Sequence, residues 1–104
     1  MAQYGYLSVI SKVTSGATGC CFTVGTEVCV TKDPKSDYCS HFRPLPAGTY
    51  GVTVTPVPAG QGYSHTIEVV INPGQITQIY VDTTQQVRKH ASVESVLASQ
   101  QITF

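Results

Sequence analysis

Short runs of alternating apolar and polar residues, separated by turn residues, make up most of the chain. In the run GTYGVTVT, at 48–55, Tyr50, Val52 and Val54 fall on one face, and HTIEVVI, at 65–71, alternates in the same way. An alternation with period two is typical of strands that bury one face. These two runs therefore predict two strands of a half-buried sheet.

Turn signals between the other runs predict how further strands connect. Gly25-Thr26 separates the runs at 20–24 and 27–31, and glycine first in a two-residue loop favours a type II′ hairpin. Asn72-Pro73-Gly74-Gln75 precedes the run at 76–82 and predicts a hairpin with the strand before it. With the first run at 6–13, about six or seven strands result, which indicates an antiparallel, Greek-key-like β-sandwich.

The sandwich is expected to occupy residues 1–83, and residues 84–104 to form a C-terminal arm or tail. The apolar positions of the strands give a predicted core, namely Leu7, Val9, Phe22, Tyr50, Val52, Val54, Ile67, Val69, Ile71, Ile79 and Val81. The segment 32–46 has no regular pattern and holds half of the chain's lysines and arginines. Because it is long for a connection in a compact domain, we expect a loop ordered by a disulfide or by a partner surface.

Composition supports strands and excludes several classes of protein. Valine, isoleucine and threonine make up 33 of 104 residues and leucine only three, and branched side chains favour strands. Six basic and six acidic residues cancel, so neither a nucleic-acid nor a membrane partner is expected. No apolar run approaches the ~18 residues of a membrane span, and residues 1–6 do not resemble a secretory signal. We therefore expect cytoplasmic synthesis, with action there or in an assembly such as a virus particle.

Four cysteines, Cys20, Cys21, Cys29 and Cys39, allow up to two disulfides. With Gly25-Thr26 as the loop, Phe22 faces Cys29, so no two cysteines lie directly opposite each other. Cys39 is then the expected partner, with Cys29 as the other end of the bridge. Four reduced thiols packed as small apolar side chains are the alternative.

Signatures of catalysis and of metal or cofactor binding are missing from the sequence. It has no Gly-x-Ser-x-Gly elbow, no His-Glu-x-x-His and no phosphate-binding glycine loop. Cys39-Ser40-His41 with Cys21 or Cys29 fits the spacing of structural zinc sites poorly, and His41 is expected to be a solvated loop residue. We expect no enzyme, no metal and no cofactor.

The order of turns and strands resembles that of a known group of sandwich modules. Leu45-Pro46-Ala47-Gly48-Thr49-Tyr50, a strand, a loop ending Gly62-Tyr63, a second strand and Asn72-Pro73-Gly74-Gln75 are similar to the prealbumin-like modules, over residues 5–83. These are the CnaB-type, PEGA and carboxypeptidase-regulatory-like domains. The resemblance implies a sandwich that serves as a stalk, spacer, adhesin or assembly subunit.

The same resemblance raises a covalent crosslink, because some CnaB-type modules join a first-strand lysine to a last-strand asparagine or aspartate beside a glutamate. Lys12 and Asp82 roughly match the two ends, but Val54 stands where the glutamate is expected. Without a carboxyl group to move protons, amide formation has no easy route. We therefore expect Lys12 and Asp82 to be exposed or loosely paired.

Two surfaces are candidates for binding. Tyrosines at positions 4, 6, 38, 63 and 80 are able to line a sugar- or partner-binding surface, or only to cover sheet faces. In the tail, a helix over residues 92–100 and a strand at 101–104 are both compatible with the pattern. The alternative for the tail is a frayed terminus. We expect instead an arm that contacts a neighbouring subunit or lattice through five apolar anchors, Val93, Val96, Leu97, Ile102 and Phe104.

The functional expectation is a structural assembly subunit that docks on a larger lattice or forms a homo-oligomer, in a virion or on an extracellular surface. The alternative is a carbohydrate- or protein-binding module of adhesin type, with a glycan as the ligand. Low charge and the missing catalytic signatures favour the first class.

Overall fold

The predicted all-β fold is confirmed. A computed structural model describes residues 3–86 and the backbone of 92–97. In this part of the chain every regular element is a strand, and no helix suited to crossing a membrane is found. The strands are β1 (Tyr4–Lys12), β2 (Gly19–Val24), β3 (Thr26–Thr31), β4 (Tyr38–Pro46), β5 (Gly48–Val57), β6 (His65–Ile71), β7 (Gln75–Asp82) and β8 (Ser92–Leu97).

The strands form two four-stranded sheets that pack as a β-sandwich. Sheet I has the order β4-β1-β7-β8 and sheet II the order β3-β2-β5-β6. Strands β1 and β7 pair in parallel, whereas the other described strand pairs are antiparallel. The expectation of a purely antiparallel sandwich is therefore wrong for this pair. The parallel pair joins two strands that are far apart in the sequence, which no local turn signal could reveal.

The turn at 72–75 crosses from one sheet to the other. The predicted hairpin between β6 and β7 is therefore wrong, because β6 pairs with β5 in sheet II while β7 pairs with β1 and β8 in sheet I. Gly74 adopts a φ of 72° and its N–H donates to the carbonyl oxygen of Tyr4 at 2.9 Å. The turn is thus fastened to the start of β1 and not to a hairpin partner.

Strand β4 replaces most of the expected loop at 32–46. Only residues 32–37 connect strands, and β4 pairs with β1 from Tyr38 to Pro46. The two prolines of β4 are tolerated because β4 is the edge of sheet I. Inward-facing Cys39 and Leu45 are buried, so the strand contributes to the core.

The predicted core is confirmed, with one residue less buried than expected. All of its members are buried except Tyr50, which is partly buried and packs against the core cluster. The hydroxyl of Tyr50 donates a 2.6 Å hydrogen bond to the carbonyl oxygen of Pro46. The ring can therefore pack against the core while its hydroxyl group has a hydrogen-bond partner. Cys20, Val13 and Ile76 are also buried.

Strand β8 extends sheet I beyond the expected domain boundary at residue 83. It pairs antiparallel with β7, from Ser92 opposite Tyr80 to Leu97 opposite Gln75, so the helix expected at 92–100 is wrong over these residues. The edge of β7 offers N–H and C=O groups that pair with the backbone of β8. A helix of this length is only marginally stable by itself, so pairing with β7 is favoured. Of the proposed anchors, Val93, Val96 and Leu97 belong to β8, whereas Ile102 and Phe104 lie outside the described residues.

Candidate functional site

The outer face of sheet I is rich in aromatic side chains. Successive residues of a strand point to opposite faces. On β1, Leu7 and Val9 are buried, so their sequence neighbours Tyr6 and Ile10 face outward. The same alternation places two residues of β4 and one of β7 beside them. We call the resulting surface, made of Tyr6, Ile10, Tyr38, Phe42 and Tyr80, the aromatic face.

Two ring contacts organise the aromatic face. Tyr6 and Phe42 stack with their ring centroids 5.5 Å apart and their planes 14° from parallel. Tyr38 and Tyr80 form a tilted pair with centroids 6.4 Å apart. Ile10 lies between the two pairs, because it is opposite Tyr80 on β7 and opposite Ser40 on β4. Three strands therefore contribute side chains to the aromatic face.

Two members of the aromatic face are unusually open to solvent. Tyr38 is 45% and Phe42 is 47% exposed, although both are large apolar side chains. They flank a groove of about 500 Å³ with a mostly apolar lining. The groove is lined by Ser8, Ile10, Ser36, Tyr38, Cys39, Ser40, His41 and Phe42. Its shape suits an apolar group of a ligand, flanked by serine hydroxyls.

Charge plays a small part on this surface. Lys12 and Asp82, of opposite sign, are register neighbours at one end of it. Burial, a hydrogen bond with Tyr38 and the nearby Asp82 carboxylate raise the pKa of Tyr80 to about 12, so Tyr80 stays neutral at physiological pH. The aromatic face is therefore suited to stacking and apolar contact, and not to ionic recognition.

The outer face of sheet II is different in character. Threonines dominate the outward positions of β5, and Thr66, Glu68 and the exposed Val70 occupy those of β6. Some of these hydroxyls bond to each other, as in the 3.0 Å contact between Thr53 and Thr66. Apart from Val70, such a surface is satisfied by its own hydrogen bonds and by water, which distinguishes it from the aromatic face.

The cysteines pair differently from the expectation. Cys21 and Cys29 are direct register partners on β2 and β3 and form a disulfide. The register is shifted by one residue because Gly25 alone, with a φ of 75°, separates the paired residues Val24 and Thr26. The expected bridge from Cys29 to Cys39 is therefore wrong.

Cys20 and Cys39 are free thiols, and both are buried. Burial raises the pKa of Cys20 to about 11, against a lowering contribution from the Ser11 hydroxyl 3.3 Å away. Burial also raises the pKa of Cys39, partly opposed by Cys20 and by the charge of Lys32. Both groups are therefore neutral thiols at physiological pH.

His41 is a core-facing residue and not the solvated loop histidine that we expected. Its ring stacks on Phe22, with centroids 5.8 Å apart, and its Nε2 atom has no hydrogen-bond partner among the described residues. Burial, together with the charge of Arg43, lowers the pKa of His41. The neutral ring therefore serves as a packing element between the sheets.

Metal binding finds little support in the described part of the chain. One group of candidate ligand atoms lies close together, on Cys21, Glu27 and Cys29. Both of its sulfur atoms belong to the disulfide, and a metal needs the thiolate form. The zinc site considered from the sequence combines Cys39 and His41 with Cys21 or Cys29. Since Cys21 and Cys29 are joined in the disulfide, neither offers a thiolate to that site.

The structure brings together some of the tyrosines that the sequence singled out. Tyr6, Tyr38 and Tyr80 belong to the aromatic face, whereas the exposed Tyr4 begins β1 and Tyr63 lies in the connection between β5 and β6. Phe42 was missed because it lies in the segment interpreted as a loop. The alternation of Tyr38, Ser40 and Phe42 with Cys39 and His41 was the signal that could have found it.

Lys12 and Asp82 are neighbours on the parallel strands β1 and β7, as their rough match to a crosslinked pair requires. Asp82 accepts a hydrogen bond from the N–H of Thr84 at 2.9 Å. Val54, at the position where the glutamate is expected, is fully buried in the core. The arrangement still offers no carboxyl group there to move protons.

Comparison with known proteins adds no further guide to the site. No family model, no curated protein and no solved structure matches the chain. The function therefore has to be argued from the aromatic face itself.

Proposed function

We propose that this chain is a non-enzymatic assembly subunit, a small β-sandwich that docks through the aromatic face on a larger protein lattice. The observation that supports this most strongly is the contrast between the two outer faces. Sheet II presents mainly threonine and glutamate to solvent, with Val70 as an exposed apolar residue, while sheet I presents the rings of Tyr38 and Phe42, each about half exposed. Exposed apolar patches of this kind are typical of interaction sites.

The chemistry of the aromatic face favours a protein partner. Tyrosine is enriched at the centres of protein interfaces, because a large ring is buried at low entropic cost. Tyr80 is neutral, and the two charges at the end of the face cancel. A partner that fits is an apolar protein surface with a side chain that enters the groove between Tyr38 and Phe42.

An assembly in a virion or on an extracellular surface, reached after cytoplasmic synthesis, fits this proposal. The Cys21–Cys29 disulfide supports it, because disulfides persist in oxidising surroundings. The prealbumin-like resemblance is also part of the proposal. It is supported at the level of architecture, by two four-stranded sheets packed face to face.

To test this proposal, tagged variants of the chain are expressed in cells that produce this protein, and their incorporation into the native assemblies is measured. Tyr38→Ser and Phe42→Ser remove exposed rings from the aromatic face and leave the core unchanged. Because truncation of a central interface side chain costs about 2 kcal/mol or more, each variant should incorporate roughly 30-fold less tightly. Sedimentation of the assemblies followed by quantitative mass spectrometry gives the bound fraction.

Tyr63→Ser and Val70→Ser are the matched controls. Tyr63 is 45% exposed in a loop, and Val70 is 52% exposed on the outer face of sheet II. Both controls should incorporate like the unaltered chain. Equal incorporation of all four variants contradicts docking through the aromatic face, and a chain that sediments only as a free monomer contradicts the assembly role.

A carbohydrate-binding module is the second candidate, since exposed rings beside hydroxyl groups also suit a sugar. Tyr38 and Phe42 flank a groove into which Ser36 and Ser40 open. A glycan array separates the two functions. Glycan binding by a monodisperse monomer, lost in Tyr38→Ser and retained in Tyr63→Ser, establishes the alternative and contradicts the assembly role.

A further inference from the structure

The two free cysteines lie on strands of opposite sheets and face each other through the interior. Cys20 belongs to β2 of sheet II and Cys39 to β4 of sheet I, and they are 0% and 4% exposed. Ser11 on β1 connects them, because it is the register partner of Cys39 and its hydroxyl lies 3.3 Å from the sulfur of Cys20. Each thiol also influences the pKa of the other, as expected for two groups that are neighbours in the interior.

No other cysteine competes for either thiol. Cys21 and Cys29 are joined to each other on the opposite, outward side of β2 and β3. Cys21 follows Cys20 directly but points to the other face of the strand. The chemistry open to the interior pair is therefore with each other.

From this geometry we infer that Cys20 and Cys39 form an inter-sheet disulfide when the chain meets a small-molecule disulfide such as oxidised glutathione. The thiolate of Cys39 attacks the glutathione disulfide, forms a mixed disulfide and releases a glutathione thiolate, which takes up the proton that Cys39 lost. The thiolate of Cys20 then displaces the second glutathione, which takes up the proton of Cys20. Two protein thiols are oxidised, and one glutathione disulfide is reduced to two thiols.

The order of attack follows from the position of β4. This strand is the edge of sheet I, whereas β2 lies inside sheet II between β3 and β5. Local opening starts at edges more readily than in the interior, so Cys39 meets the oxidant first. Because a thiolate is the attacking species and burial keeps both thiols protonated, the reaction is slow at neutral pH and becomes faster as pH rises.

The bond would fix the edge strand that carries Tyr38 and Phe42. In the reduced chain, β1 is the neighbour of β4 among the described strands of sheet I. A bond from Cys39 to Cys20 connects it to the second sheet, as inter-sheet disulfides do in immunoglobulin domains. The inference does not depend on the docking proposal, because it rests only on the interior contacts of the two thiols.

The experiment exposes the folded chain, with its Cys21–Cys29 bond intact, to oxidised glutathione, followed by acid quenching and mass spectrometry. We expect a mass loss of about two hydrogen atoms. Lys32 and Lys35 separate the two cysteines, so digestion at lysine should yield the peptide containing Cys39 joined to the peptide containing Cys20. The melting temperature should rise by about 5 °C or more on oxidation of the same chain.

Cys20→Ser and Cys39→Ser identify the atoms involved. Both variants should lose the joined peptides, and Cys20→Ser should stop at a glutathione adduct on Cys39. Persistence of the joined peptides in Cys20→Ser contradicts the inference, because the bond then involves Cys21 or Cys29. Recovery of the unaltered chain with both thiols free, or with glutathione adducts only, also contradicts it, and this result needs no variant.

Discussion

Thr83, which follows β7, forms two hydrogen bonds to the carbonyl oxygen of Lys12 at the end of β1. Its hydroxyl donates a 2.6 Å hydrogen bond to the carbonyl oxygen of Lys12, and its backbone N–H donates to the same oxygen at 3.0 Å. Thr83 is fully buried, and its own carbonyl oxygen accepts from the N–H of Tyr63 at 2.8 Å. One residue thus joins the parallel strand pair to the connection between β5 and β6.

Thr83→Val removes the hydroxyl and keeps the shape of the side chain. We expect a loss of about 1 kcal/mol in the free energy of unfolding, because Lys12 retains the backbone bond and only one hydrogen bond disappears. Urea denaturation measures the change. Thr53→Val, on the outer face of sheet II, is the control and should cost less; an equal or smaller cost for Thr83→Val contradicts the role assigned to it.

His41 should make the fold less stable in acid. Burial lowers the pKa of His41 below its ordinary value of 6.5, so the unfolded chain binds this proton at a higher pH than the folded chain does. Stability therefore falls as pH decreases below 6.5, until the folded ring is also protonated. His41→Phe keeps a ring against Phe22 and should reduce this slope. Urea midpoints measured across a pH series test it, and identical slopes for the two chains contradict the assignment.

The Cys21–Cys29 disulfide should stabilise the β2–β3 hairpin. Its cysteines are eight residues apart, and closing a loop of that size stabilises by about 2–3 kcal/mol through the unfolded state. The double variant Cys21→Ser with Cys29→Ser should lose about this much in urea denaturation, and reductant should then have little further effect on it. An unchanged midpoint would show that the bond constrains nothing.

Strands with clear alternation were predictable from the sequence. Tyr50, Val52 and Val54 show the pattern because their neighbours in sequence are threonine and glycine. The predicted core follows from such positions, and the structure confirms its burial. The fold class was therefore accessible without any structure.

Elements whose partners are distant in sequence were not predictable. In β4 the inward residues include His41, and its two prolines are typical of a loop, so the alternation at 38–42 is a weak signal that the pairing with β1 makes recognisable as a strand. The parallel pairing of β1 with β7 joins residues about seventy positions apart. Such contacts depend on the whole sandwich and leave no local signal.

The aromatic face was only partly predictable, for the same reason. The sequence drew attention to Tyr6, Tyr38 and Tyr80, which lie on three different strands. Only the strand order places them together, and it adds Phe42 and Ile10 to the same surface. The disulfide pairing was missed because the turn at Gly25 is one residue shorter than expected. This shifts the register of β2 and β3 by one residue and places Cys21 opposite Cys29.

Hydroxyl-radical footprinting of the native assembly tests the docking claim most directly. The free chain and the assembly isolated from producing cells are oxidised in parallel, and the modification of each ring is measured by mass spectrometry. The account predicts that Tyr38 and Phe42 become strongly protected in the assembly, while Tyr63, exposed to the same 45% as Tyr38 in the free chain, stays reactive. Oxidation of Tyr38 and Phe42 at the rate of the free chain would contradict docking through the aromatic face.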